Sequence, residues 1–169
     1  MDGLRTQSDD GCGLQAALAG VGRDCISAND TEVSVFTEGR AQPLHAIVRD
    51  EVYWIAREAI VNALRSAHAA KVEVELSYRN ADLRVFIRDD GRGFEPAVVD
   101  PGTRNRHWGI RGMKERARRI GATVDIWTAV GAGTEVSLRI PASVAYRDRP
   151  VPPPRWWRKR PVSTARQDQ

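Results

Sequence analysis

Asp89 and Asp90 close a run of apolar alternation and lead straight into Gly91-Arg92-Gly93. Side chains of a strand change face at every residue, so Asp89 falls on the face of Leu83, Val85 and Ile87, and Asp90 on that of Arg84, Phe86 and Arg88. A carboxylate on an apolar face is costly unless something hydrogen-bonds to it. Gly91 and Gly93 permit positive φ and close approach of the backbone to a neighbour or a ligand. Such a site could read a polar group on a ligand, but a glycine turn with two solvated aspartates fits the same residues.

Three further groups of residues could join it. Glu58, Asn62 and Arg65 follow one another at i, i+4 and i+7, which places them on one face of a helix. An acid or amide oxygen suits Mg²⁺, and a guanidinium suits phosphate. The same trio could equally be a solvated polar stripe. In HWGIRGMKERARR, Gly109 and Gly112 fall where a loop is expected to enter a helix, and a helix start offers free N–H groups to phosphate. Arg104, Arg106, His107, Arg111 and Lys114 add positive charge around them. In GAGTEVSLRIP, Thr134 shares a face with Val136, Leu138 and Ile140. It is a second small polar group on an apolar face, able to meet Asp89 and help recognise a base edge. A turn threonine is the plain alternative.

The elements that must position these groups are legible from periodicity. Residues 44–69 carry the strongest helical pattern, with Val48, Val52, Ile55, Ala59, Ala63 and Ala67 as its apolar stripe. Residues 31–38, 72–78, 83–89, 123–128 and 134–140 read as strands, with the hairpin loop RNAD joining the second to the third. Residues 109–120 read as a second helix ending at Gly121, and residues 14–24 as a weak one. The order β, long α, ββ, loop, α, ββ predicts an α+β fold. Its form would be a two-layer α/β sandwich, a mixed and mostly antiparallel sheet with helices on one face.

Composition narrows the function classes. No apolar run approaches the roughly 20 residues of a membrane helix, and no signal peptide opens the chain, so the cytoplasm is the expected location. Cys12 and Cys25 form no CxxC pair and are expected to be inert thiols. Residues 147–169 hold seven basic and two acidic residues, net +5, while the whole chain is +4, leaving residues 1–146 at −1. The basic charge therefore sits in the tail around VPPPRWWRKRP, and no nucleic-acid partner is expected for the folded part. Trp156 and Trp157 beside Arg158, Lys159 and Arg160 could touch a membrane surface or nucleic acid, or simply be solvated.

Taken in order, REAIVN, DDGRGF, HWGIRGMKERARRIGA and GAGTEV resemble the ATP-binding domain of the GHKL (Bergerat-fold) superfamily. More closely they resemble the catalytic domain of two-component sensor histidine kinases of the nitrate-sensor and DesK-like type. The resemblance covers residues 31–141, after a disordered start and linker-helix remnant at 1–30 and before a disordered tail at 142–169. It implies ATP and Mg²⁺ as cofactors. Asp89 would accept a hydrogen bond from the adenine amino group, supported by Thr134, and Gly91 and Gly93 would begin an ATP lid over residues 94–108. Asn62 would ligate Mg²⁺, Arg65 would contact phosphate, and Glu58 would order the metal's water or assist transfer. His107, Gly109, Gly112 and Met113 would form the hinge and the phosphate-side helix start.

The implied partners are a dimerisation and phosphoacceptor domain and, beyond it, a response regulator. His45, His68 and His107 all lack the acceptor context of that family, so the acceptor histidine would be supplied elsewhere. Arg65-Ser66-Ala67 also departs from the family's usual Arg-His followed by a small residue. Two alternatives stand beside this reading. One is a stand-alone serine kinase of the anti-sigma-factor type; the other is a non-catalytic nucleotide-sensing module.

Overall fold

The computed structural model describes residues 12–25, 31–94 and 104–147. Five strands form one sheet: β1 (Glu32–Glu38), β2 (Lys71–Tyr78), β3 (Asp82–Asp89), β4 (Thr123–Thr128) and β5 (Thr134–Pro141), in the order β1-β2-β3-β5-β4. β1 runs parallel to β2, and every other pairing is antiparallel. A parallel pair needs a crossover, and here it is the long helix α2 (Ala46–Asn62), prolonged by a π-helical turn over Ala63–Ala67. Helices α1 (Cys12–Cys25) and α3 (Arg104–Arg119) lie alongside α2, and a short α4 (Ala142–Ala145) follows β5. This is the predicted mixed, mostly antiparallel sheet in an α+β fold.

The period-2 and period-3.6 patterns meet in one core. Val72, Val74 and Leu76 of β2, Leu83, Val85 and Ile87 of β3, and Val136, Leu138 and Ile140 of β5 all point to the helices. Val48, Val52, Ile55 and Ala59 of α2 answer them, as do Ala63 and Ala67 in the π turn. Leu14, Leu18 and Val21 of α1, Met113 and Ala117 of α3, and Ile120 just after α3 extend the same cluster, while Ala67, also buried, stands outside it. The opposite sheet face mixes charged residues with Phe36, Phe86 and Trp127. Arg88 bridges Glu75 on β2 at 3.0 Å and Glu135 on β5 at 2.7 Å.

The folded part runs on past residue 141, where the sequence suggests a tail. The Ala142 amide donates to the Ala81 carbonyl, and the Arg147 amide to that of Pro43. The Tyr146 hydroxyl lies 3.1 Å from the carbonyls of both Arg79 and Asp82. Beneath it, the buried carboxylate of Asp82 takes hydrogen bonds from Arg139 at 2.6 Å and Arg84 at 3.3 Å. Burial pushes this carboxyl up, but the two guanidiniums outweigh burial and hold it below the ordinary carboxylate value. The lid expected at 94–108 falls largely outside the described residues, as do the opening residues 1–11 and the Trp156–Trp157 segment. Among the described residues, no helix is long and apolar enough to cross a membrane.

Candidate functional site

The ends of three strands build the floor of a pocket. Register pairs Asp89 on β3 with Thr134 on β5, and Thr134 with Thr128 on β4. Partners in register share a sheet face, so all three side chains rise toward the helices from otherwise apolar strands. Asp89 and Thr134 thus meet, as their sequence pattern suggests. Around them Ile87, Ile126 and Val136 supply the rest of the floor, Ala59, Asn62 and Ala63 one wall, and Ile110 and Met113 of α3 the other. The pocket opens to solvent, and the space between its walls, open solvent included, is about 480 Å³.

The two aspartates have separate tasks. Asp89 Oδ1 accepts a hydrogen bond from the Gly91 amide at 2.9 Å, which turns the chain tightly at the pocket edge. Asp90 Oδ1 accepts from the amides of both Ala70 and Lys71, each at 2.8 Å, and so fastens the end of β3 to the start of β2. The two glycines also differ. Gly93 has φ +56°, and a Cβ there would overlap the Ala129 carbonyl. Gly91 does not need positive φ. Its bare Cα makes room for Ala67, whose Cβ would lie 2.5 Å from an added side chain.

On the opposite wall, the Asn62 amide donates to Glu58 Oε1 at 3.3 Å. With its nitrogen engaged, Asn62 keeps its carbonyl oxygen as an acceptor beside the pocket. Arg65 does not complete the stripe. Arg65 sits in the π turn, which winds more widely than an α-helix, and it is exposed and not among the residues that line the pocket. The side chain of Ser66 lies outside the described residues.

Helix α3 also differs from expectation. It begins at Arg104, so Gly109 and Gly112 lie inside it and their amides belong to the helix. Gly109 has a packing reason instead. A Cβ there would fall on Glu58 Oε1 and within 3.2 Å of Asn62 Nδ2, so the glycine lets α3 cross directly over that pair. Gly112 and Met113 line a second opening of about 770 Å³ with Trp54, Arg57, Glu58, Gly109 and Arg116. The side chains of Arg104, Arg106 and His107 lie outside the described residues.

Thr128 is the site residue that the sequence reading missed, although it carries the signal that marked Asp89 and Thr134. It ends a face begun by Val124 and Ile126, a polar group closing an apolar alternation. It is buried, and its hydroxyl touches the Gly133 carbonyl, the Phe94 amide and the Thr134 hydroxyl.

The donor set suits a nucleotide and a hard cation. An apolar pocket ending in a carboxylate and a hydroxyl suits a base with a polar edge. Asn62 and Glu58 offer hard oxygen atoms, and no cluster of three or more acidic, histidine or cysteine ligands occurs among the described residues.

The family described as "Histidine kinase-, DNA gyrase B-, and HSP90-like ATPase" matches residues 47–144, which takes in the whole pocket. The chain belongs to this family. Sensor histidine kinase LiaS of Bacillus subtilis is 34% identical over 94 residues, which cover 56% of this chain and 25% of LiaS. Sensor protein VraS of Staphylococcus saprophyticus is 37% identical over 94 residues, 56% of this chain and 26% of VraS. The match thus spans about a quarter of each relative. The histidine kinase domain of the Erythrobacter litoralis EL346 blue-light activated histidine kinase superposes with a TM-score of 0.64 at 22% identity. That superposition covers 82% of this chain and 66% of the other, and it shows a common fold. The domain is of the ATP-binding kind that sensor histidine kinases contain.

Proposed function

We propose that this chain binds ATP with Mg²⁺ and transfers the γ-phosphoryl group to a histidine on a separate dimerisation domain in two-component signalling. The observation that carries the reading is the pairing of Asp89 with Thr134 on the pocket floor, opposite Asn62 and Glu58 on the wall. One end offers acceptors to the amino group of adenine; the other offers oxygen ligands to a cation. Bound Mg²⁺ would neutralise charge on the phosphates, and phosphoryl transfer depends mainly on such neutralisation and on positioning.

Each residue then has a role its surroundings support. Asp89 accepts from the adenine amino group, held in place by the Gly91 amide. Asn62 presents its carbonyl oxygen to the cation, and Glu58 fixes the orientation of that amide. Met113 and Ile110 close on the purine from α3. The acceptor histidine would be supplied by the separate domain, in keeping with the sequence context of His45, His68 and His107, none of which resembles an acceptor box. A response regulator would take the phosphoryl group next, and the cytoplasm is the matching location.

Calorimetric titration of the full chain with ATP and Mg²⁺ tests the reading, with GTP and Asp89→Asn as controls. The expected result is ATP binding that is lost in Asp89→Asn and absent for GTP. A wild type that takes up no ATP would sink the proposal. Binding followed by transfer to a serine on a small antagonist protein, with none to a histidine domain, would replace it with the serine-kinase reading.

A further inference from the structure

The hydroxyl of Thr128 has a fully determined hydrogen-bond inventory. A hydroxyl has one proton to give and two lone pairs to receive. The Gly133 carbonyl, 3.1 Å away, can only accept, so it takes the proton of Thr128. The Phe94 amide, also at 3.1 Å, can only donate, so it fills one lone pair. The third neighbour is the Thr134 hydroxyl at 3.3 Å, and it has no proton of Thr128 left to accept. Thr134 must therefore donate to Thr128, which leaves Thr134 with lone pairs alone to offer the pocket.

We infer that Thr128 is a positioning residue for base selection: it consumes the Thr134 proton, so the pocket floor presents only acceptors and rejects purines bearing an oxygen at position 6. This rests on the nucleotide reading above and deepens it. Asp89 is an acceptor by its charge; Thr134 becomes one by its neighbour. An exocyclic amino group satisfies both. A 6-oxo group would face two sets of lone pairs in a partly dry slot, and a buried acceptor without a donor is strongly disfavoured. Without the Thr128 hydroxyl, the Thr134 proton is free to turn into the pocket and meet a 6-oxo group. The same hydroxyl also accepts from the Phe94 amide.

The test is calorimetric binding of ATP, inosine triphosphate and purine riboside triphosphate, all with Mg²⁺, to the full chain and to Thr128→Val and Thr128→Ser. Purine riboside carries only hydrogen at position 6 and serves as the neutral reference. In the wild type, ATP should bind best and inosine triphosphate worse than the reference. Thr128→Val should raise the affinity for inosine triphosphate relative to the reference by about five- to tenfold, the size expected of one hydrogen bond. Thr128→Ser should restore the wild-type order. An unchanged ratio in a folded Thr128→Val protein would overturn the inference. If that variant does not fold, the wild type alone decides, because inosine triphosphate binding as well as the reference would mean a proton is available to it. A wild type that binds no ATP would instead remove the reading beneath.

Discussion

Substituting Gly109 by Ala should separate stability from metal-dependent binding. In a helix interior, Ala is favoured over Gly by about 1 kcal/mol, so propensity alone predicts a more stable protein. The new Cβ, however, lands on Glu58 Oε1 and sits 3.3 Å from Glu58 Cδ. What it strikes is the far end of a flexible side chain, which can swing aside by about 1 Å without moving the backbone. Melting temperature should therefore change little. The swing would break the 3.3 Å hydrogen bond that orients the Asn62 amide. Loss of a partner that orients a metal ligand costs about ten- to hundredfold in metal affinity or activity. Calorimetry should thus show weaker binding of ATP with Mg²⁺ by that factor, with metal-free ATP much less affected. Unchanged binding with Mg²⁺ would mean that the Glu58–Asn62 pair does not hold the cation. A stability loss above about 3 kcal/mol would mean that the helices, and not one carboxylate, had been forced apart.

The carboxylates at the two ends of β3 give further outcomes. Asp90→Ala removes the acceptor for the Ala70 and Lys71 amides and should cost about 1–3 kcal/mol in urea denaturation, while ATP binding falls far less than in Asp89→Asn. A large binding loss with no stability loss would reverse the two roles. For Asp82, the folded pKa lies below the ordinary 3.8, so its contribution to stability is complete above that value. It is lost as pH falls through the lower folded value. Acid titration of stability should show this loss for the wild type and not for Asp82→Asn, and equal acid sensitivity of the two would refute it.

The sequence reveals the sheet and its floor because two polar residues break period-2 alternation at strand ends. Asp89 and Thr134 could be placed on one face by counting, and register then brings them side by side. Thr128 obeys the same count but closes a strand whose other inward residues, Val124 and Ile126, are only half buried, and it escaped notice. Arg65 falls in a π turn, where a helical wheel of 3.6 residues per turn no longer applies, and no residue in ALRSA announces such a turn. Gly109 was read as a helix start because glycine often marks one. The true reason is a neighbour 51 positions away in the chain, Glu58, which no local pattern can display. Residues 142–147 likewise join the fold through Pro43, Arg79 and Ala81, contacts set by topology.

The π turn has a mechanical consequence. Its last residue, Ala67, accepts the Arg92 amide through its carbonyl at 2.9 Å and presses its methyl group against Gly91. The wall bearing Asn62 and the floor bearing Asp89 are thereby riveted into a single frame. A hinge between them would have to tear this joint, so the base end and the cation end cannot open independently of one another. Whatever breathing admits and releases a ligand falls to the α3 side, where Ile110 and Met113 rest on the pocket. In hydrogen exchange, the amides of α2, its π turn and residues 89–92 should behave as one slow block, with α3 exchanging on its own clock.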